Sequence, residues 1–358
     1  MNHRVAALRE RMSQAGLDAM LIAKPENRRY LSGFTGTSAN LILTEDQALL
    51  FTDFRYLEQA SSQCTGWTIV ESGSSFVETA GDALAKQSVR SLGFESFDLS
   101  FASVESFRTW EHMVEGLRLV PTAKFVESLR MVKDADEIEC IKKAAFIADD
   151  TFAYILTVLR PGMTEKDVAL ELEYQMRLRG ASGSSFTTIV ASGRRSALPH
   201  GVASNKVLES GDFVTMDFGA VYEGYVSDVT RTVCLGQPST EQRELYNIVL
   251  EAQERALDAA APHMLASELD AAARNFIDAK GYKDAFGHGL GHGIGLEIHE
   301  DPRIRLGGED MLLPGMTITI EPGIYVPQFG GVRIEDDVLL TEQRASVLTS
   351  APKNLICL

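Results

Sequence analysis

The stretch Phe286-Gly-His-Gly-Leu-Gly-His-Gly-Ile-Gly-Leu-Glu-Ile-His-Glu300 gathers three of the chain's seven histidines, His288, His292 and His299. Its alternating glycines argue against a helix, where each would cost about 1 kcal/mol relative to alanine. They also let the backbone and an imidazole come close to a ligand. The stretch therefore reads as an extended segment that hugs a ligand, and the acids on either side of it in the chain show what kind.

Downstream, Gly315-Met-Thr-Ile-Thr-Ile-Glu-Pro-Gly-Ile-Tyr-Val-Pro-Gln-Phe-Gly-Gly-Val-Arg-Ile-Glu-Asp-Asp-Val-Leu-Leu340 holds two alternating β-branched runs joined by a turn. This is the pattern of a β-hairpin. A turn centred near Gln328 sets Glu321 opposite Glu335 and Thr319 opposite Asp337. Like charges directly opposed in a sheet repel, so the two glutamates need a cation or a shared proton between them. Pro322 fits poorly in a central strand and predicts a bulge that re-aims Glu321. Upstream, Asp212–Val233 repeats the device. A turn around Tyr222 and Glu223 would set Asp217 opposite Asp228, with Asp217 inside the apolar run Val-Thr-Met-Asp-Phe. An unpaired carboxylate there is costly.

Two such hairpins and the histidine segment supply four carboxylates and at least one imidazole. One divalent ion cannot neutralise four carboxylates, whereas two can. Oxygen-rich ligation with a single nitrogen suits manganese, with cobalt, iron or zinc as alternatives. Two ions sharing a hydroxide make both a nucleophile at neutral pH and a Lewis acid for a carbonyl. That is hydrolase chemistry. The helical zinc signature H-E-x-x-H is absent, because His288 and His292 enclose Gly-Leu-Gly.

At these residues the sequence resembles the pita-bread metallopeptidases, the family of methionine aminopeptidase, aminopeptidase P and prolidase. The resemblance implies an α+β pita-bread catalytic domain whose metal ligands are Asp217, Asp228, His292, Glu321 and Glu335. It further implies that Glu321 doubles as general base. His200, in Leu-Pro-His-Gly, and His299, in Ile-His-Glu-Asp-Pro, would contact substrate and steady the tetrahedral intermediate. By the same carry-over His288 lines the substrate pocket, while Tyr325 and Arg333 hydrogen-bond around the ligand carboxylates. For Arg333 a charge pairing with Glu335 or Asp337 is a compatible reading. Arg303 reads as an exposed arginine, with a substrate carboxylate as the alternative partner.

Outward from the site, 358 residues exceed what one core ordinarily serves, so two domains are expected. The net charge of −16 argues against nucleic-acid or anionic-membrane binding, which needs a basic face. No run approaches the roughly 18 apolar residues of a membrane span, and the start lacks an apolar core of signal-peptide length. Cys64, Cys140, Cys234 and Cys357 form no C-x-x-C pair. A cytoplasmic protein is expected.

Residues 1–124 alternate helix and strand as an α/β layer domain. Tyr30-Leu-Ser-Gly-Phe-Thr-Gly36 and Thr52-Asp-Phe-Arg-Tyr56 resemble the creatinase-like amino-terminal domain of prolidase and aminopeptidase P. Pro121–Lys124 marks the boundary, and residues 125–358 form the catalytic domain. There Thr164 is expected to cap a helix running to about Leu178, and Ser267 another running to Ala279. Each half of this domain reads helix, helix, strand, acid-bearing hairpin, which places the metals between pseudo-symmetric halves.

The sequence thus predicts a metallo-exopeptidase using two divalent ions to hydrolyse the bond between an N-terminal residue and a following proline. His299-Glu-Asp-Pro-Arg303 and the short first domain resemble prolidase, an Xaa-Pro dipeptidase. Phe34-Thr-Gly and Thr52-Asp-Phe-Arg-Tyr56 resemble bacterial aminopeptidase P, which acts on longer Xaa-Pro peptides. A non-catalytic binding protein on the same fold would be marked by lost ligands, and all five are present. Relatives are commonly dimers, so the resemblance implies a homodimer.

Overall fold

Apolar residues recurring at Val5, Leu8 and Met12 bury one face of the first helix, α1 (His3–Gln14). The run Ala-Met-Leu-Ile that comes next is strand β1 (Ala19–Ile22), buried along its whole length. The computed structural model describes residues 3–73 and 75–358, and the chain divides into two units, Met1–Arg130 and Met131–Leu358.

In the first unit β1 is followed by α2 (Pro25–Ser32), the hairpin strands β2 (Ala39–Thr44) and β3 (Ala48–Thr52), α3 (Leu57–Gln63) and β4 (Thr68–Glu71). Next come α4 (Phe76–Lys86), β5 (Ser91–Glu95), α5 (Phe101–Phe107), α6 (Thr109–Met113), β6 (Arg118–Thr122) and α7 (Glu127–Arg130). The six strands form one mixed sheet in the order β4-β3-β2-β1-β5-β6. Its helix-covered face closes around Trp110, which stacks on Phe107 at 4.6 Å between ring centroids. Pro121 lies in β6, not in a linker. An edge strand tolerates a residue without an N–H, and α7 follows it within the first unit.

The second unit opens with α8 (Ala135–Val158), started by a reciprocal cap between Asp134 and Glu137. Thr164 caps α9 (Glu165–Leu178) in the same way with Asp167. Strands β7 (Gly183–Ser184), β8 (Ile189–Ser192), β9 (Phe213–Phe218), β10 (Ala220–Tyr222), β11 (Tyr225–Val226) and β12 (Val229–Cys234) come after them. The second half repeats the order with α10 (Thr240–Ala259), α11 (Ala266–Ala279), β13 (Gly291–Gly293), β14 (Glu300–Ile304), β15 (Thr317–Ile320), β16 (Gly323–Val326), β17 (Gly330–Arg333), β18 (Asp336–Leu340) and β19 (Ala345–Val347). Each half has its own apolar core, α8 and α9 against β8-β9-β12, and α10 and α11 against β13-β15-β18. Helix α11 begins before Ser267. Its first turn is closed by Glu268, whose carboxylate accepts the Leu265 N–H at 2.8 Å.

The second hairpin has the expected register, with Thr319 paired to Asp337 and, beyond a break, Gly323 paired to Arg333. Glu321 and Glu335 fall in that break, between two separate ladders. Pro322 sits there too, and its carbonyl accepts the Ile334 N–H at 3.4 Å. The first hairpin differs from expectation. Its turn is Glu223-Gly224, both with positive φ, and Asp217 stands opposite Thr230. A two-residue turn of this hand needs left-handed backbone at both positions, which glycine at 224 makes easy. Compared with the expected pairing the register moves by two residues, which keeps the face. Asp217 and Asp228 therefore still converge, as diagonal neighbours.

Candidate active site

Strand β13 carries His292, and only glycine can flank it. A Cβ on Gly291 would lie 2.0 Å from the Thr319 carbonyl oxygen, and one on Gly293 would lie 2.2 Å from that of Asp301. The strand is thereby pressed between β14 and β15, and the imidazole projects into a cavity of about 560 Å³. Asp217, Asp228, His200, His288, His299, Glu321, Arg333 and Glu335 line the same cavity.

The His292 ring is oriented by its Nδ1–H, which donates to the Gly293 carbonyl at 3.0 Å. Its Nε2 then points at Glu321 Oε1, 3.4 Å away, and at Asp228 Oδ2, 3.7 Å away. Burial lowers the His292 pKa to about 3, so the ring is neutral and Nε2 carries a lone pair. A lone pair aimed at two carboxylates is repulsive unless a cation or a carboxyl proton stands between them.

The carboxylates point to the same need. Burial, and then the neighbouring Glu335 and Asp217, push Asp228 well above the usual carboxylate range. Burial and Glu321 do the same to Glu335, and Glu321 rises to about 8, burial being the largest cause. Asp217 Oδ1 and Asp228 Oδ1 are buried without a hydrogen-bond partner among the described residues. Donor atoms of Asp228, His292 and Glu335 lie within 4.8 Å of one another. The Arg333 guanidinium touches this acid group directly; its Nη2 donates to Asp217 Oδ2. The donor set fits divalent cations, and Asp217 and Glu321 line the same cavity beside it.

Around this core the polar groups hold one another in place. Thr230 donates to Glu335 Oε2 at 2.6 Å, and Arg333 Nε donates to Thr230 Oγ1 at 3.0 Å. Arg333 Nη1 donates to the Tyr325 hydroxyl at 2.9 Å, so that hydroxyl directs its own proton to His288 Nε2, also 2.9 Å away. His288 Nδ1–H donates in turn to the Gly289 carbonyl at 2.7 Å. Its pKa falls to about 4, mainly by burial, so His288 is neutral. Tyr325 rises to about 12 for the same chief reason. Both stay uncharged at neutral pH. His200 and His299 are exposed to the cavity, and the His299 ring packs edge-on to His292 with centroids 4.4 Å apart. Glu300 holds the turn before His299, accepting the Leu296 and Glu297 N–H groups at 2.9 and 3.1 Å and pairing with Lys133 at 3.2 Å.

The structure adds Phe186, Thr187, Ile298 and Arg305 to the cavity wall, and it places Arg303 there as well. The sequence pattern marks none of the apolar residues as part of a site, since an isolated Phe or Ile reads as core. Arg305 does carry a sequence signal, because in the alternating β14 region it follows Arg303 by two and shares its side of the strand. Among the described residues no helix is long and apolar enough to cross a membrane.

Comparison with known proteins identifies the family. A model of metallopeptidase family M24 matches residues 139–342, and one of the creatinase/prolidase N-terminal domain matches residues 4–132. The Xaa-Pro dipeptidase of Pyrococcus furiosus is 43% identical over 357 residues, covering 99% of this chain and 100% of that one. The solved Xaa-Pro dipeptidase from Bacillus anthracis is 46% identical with a TM-score of 0.97, covering 99% of each chain. The X-Pro aminopeptidase from Thermotoga maritima is 42% identical with a TM-score of 0.90, covering 98% of this chain and 100% of that one.

Proposed function

Because the chain belongs to metallopeptidase family M24, with a creatinase/prolidase N-terminal domain ahead of a pita-bread catalytic domain, we propose that it is a dinuclear Xaa-Pro dipeptidase. The observation that carries the reading is one cavity lined both by the Asp217, Asp228, His292, Glu321 and Glu335 cluster and by two arginines, Arg303 and Arg305. The first group suits amide hydrolysis; the second suits the free carboxylate that a dipeptide presents beside its scissile bond.

Asp217, Asp228, His292, Glu321 and Glu335 would hold two divalent cations, manganese first, with cobalt, zinc or iron as alternatives. When bound, such ions supply Lewis acidity toward a carbonyl and a water acidic enough to act as nucleophile near neutral pH. Glu321 takes the proton of the attacking water and returns it to the departing proline nitrogen. Its carboxylate lines the cavity beside the other four acidic and imidazole groups, where it can both accept and release that proton. His200 and His299 donate hydrogen bonds to the carbonyl oxygen as negative charge builds on it. The Arg333 guanidinium keeps Asp217 oriented and, through the neutral Tyr325 hydroxyl, presents the neutral His288 to the substrate. The reading extends to a cytoplasmic homodimer, supported by family resemblance; sedimentation of the purified chain tests the dimer.

Manganese-supplemented hydrolysis of an Xaa-Pro dipeptide, an Xaa-Pro-Xaa tripeptide and an Xaa-Ala control tests the assignment. Cleavage confined to the dipeptide is expected. The X-Pro aminopeptidase neighbour favours a second reading, aminopeptidase P, and cleavage of the tripeptide would move the assignment there. Metal bound without cleavage of either proline peptide would overturn both.

A further inference from the structure

Glu165 is the first residue of α9, yet the helix does not need its carboxylate, because Thr164 and Asp167 already satisfy each other's backbone N–H groups. A glutamate here ordinarily stays in solvent and interacts with the helix dipole. This one turns inward and is fully buried. A buried carboxylate is costly unless its lone pairs are filled, and five donors fill these. Oε1 accepts the Ser192 N–H at 2.7 Å and its hydroxyl at 2.9 Å. Oε2 accepts the Ser204 N–H at 3.0 Å, its hydroxyl at 2.6 Å, and Arg195 Nη1.

Those donors stand at the two roots of one loop, residues 192–204, and that loop carries His200. Little apolar burial holds it, since Leu198 and Val202 are each 50% exposed. Hydrogen bonds do so instead. Arg195 Nη2 donates across the loop to the Val202 carbonyl at 3.0 Å, and Lys206 Nζ donates to Ser192 Oγ at 3.0 Å. At the tip, Arg333 Nη1 donates to the Pro199 carbonyl at 3.1 Å, next to His200. Removing the carboxylate would release five hydrogen bonds at once and loosen both roots, while the tip contact, the Gly331 N–H bond to Ser196 Oγ at 2.8 Å and the Ile189–Val202 bridge would remain.

We propose that Glu165 is a positioning residue, whose carboxylate clamps both roots of the 192–204 loop and so holds the His200 imidazole at the cavity. The catalytic part of this rests on the reading of His200 as an oxyanion donor. The clamp itself rests on the geometry. Glu165→Gln keeps size and shape but turns one oxygen into a donor that faces other donors.

The test is a double-mutant cycle of Glu165→Gln and His200→Ala on an Xaa-Pro dipeptide, with hydrogen–deuterium exchange on the same proteins. Each single change is expected to lower kcat/KM by roughly ten- to a hundredfold, the scale of a misplaced catalytic group. The double variant should be no worse than His200→Ala alone, because the two act through one imidazole. Exchange should rise across residues 194–203 in Glu165→Gln while β9 and β12 stay protected. Additive losses, or exchange unchanged in the loop, would overturn the proposal. If the wild-type enzyme cleaves no proline peptide, the functional reading falls, and the exchange result still decides the clamp. Ser204→Ala removes one hydroxyl donor and leaves Glu165 paired with Arg195, so it covers the case of a Glu165→Gln chain that does not fold. It should raise loop exchange in the same direction by a smaller factor, and no rise would count against the clamp.

Discussion

At the scale of the residue, the site is organised by what each group cannot do alone. His292 is neutral and offers a lone pair toward Glu321 and Asp228, and burial, then the nearby Asp217, holds the proton on Glu321 against the pull of Arg333. The proposed base is therefore also a group whose charge the site must compensate. Glu321→Gln removes the proton acceptor while preserving shape, and kcat should fall by roughly two to four orders of magnitude. Steady-state kinetics at saturating manganese, beside a thermal melt that stays near wild type, checks this; near-normal turnover would remove Glu321 from the role. Arg303 makes a separate prediction. A charge-assisted contact contributes roughly 1.5–3 kcal/mol, so Arg303→Ala should raise KM for an Xaa-Pro dipeptide by roughly tenfold or more. The same change should leave the corresponding Xaa-Pro amide, which has no terminal charge, almost untouched. Equal effects on both substrates would mean that Arg303 does not read the carboxylate.

At the scale of the element, the site depends on strands that stop pairing where the proposed ligands stand. Asp228, Glu321 and Glu335 all lie between ladders, and their N–H groups bond elsewhere, to the Asp337 carboxylate and to the Leu290 and Thr230 carbonyls. The second hairpin is legible in the sequence because its two runs alternate cleanly about one turn, and Thr319 does pair with Asp337. The first differs by two residues because Tyr222 and Glu223 look like the turn, whereas a positive φ at Glu223 shifts it to Glu223-Gly224. The difference spares the site, since a shift of two preserves the face. What the sequence does not show is the set of contacts between distant segments, such as His288 with Tyr325, or Glu165 with Ser192 and Ser204. No local pattern encodes a hydrogen bond that spans tens of residues. Glycine supplies the element-scale test. Gly291→Ala would drive a methyl into the Thr319 carbonyl, for which only 2.0 Å is available. Such overpacking should cost roughly 1–3 kcal/mol or more, together with displacement of His292. Chemical denaturation should register the first effect, and a reduced thermal shift on adding manganese the second.

At the scale of the whole molecule, the acidic cluster links stability to pH and to metal. A chain of net charge −16 already repels itself, and it sets Asp228, Glu321 and Glu335 close to one another in the second unit. Their pKa values are raised in the folded state, to about 8 for Glu321 against an ordinary 4.5. A group raised in this way favours folding fully below its unfolded pKa, and that contribution is lost as pH rises through the folded value. The metal-free protein should accordingly lose stability between about pH 4.5 and pH 8, as these protons are pulled off groups that lack a counter-charge. Divalent cations bind the deprotonated ligands and release the remaining protons, so the gain in Tm on adding manganese should be larger at about pH 8 than at about pH 5.5. Calorimetric melts of the chelated and the manganese-loaded chain at the two pH values measure both slopes. Among the described residues the only group of His, Cys, Asp and Glu with donor atoms close enough for one ion lies in the second unit. The metal-induced stabilisation should therefore appear as slower hydrogen exchange across residues 213–234 and 288–340 and leave exchange in strands β1–β6 unchanged. A Tm gain independent of pH would show that the buried acids do not carry the protons assigned to them, and a gain spread evenly over both units would place the cation elsewhere.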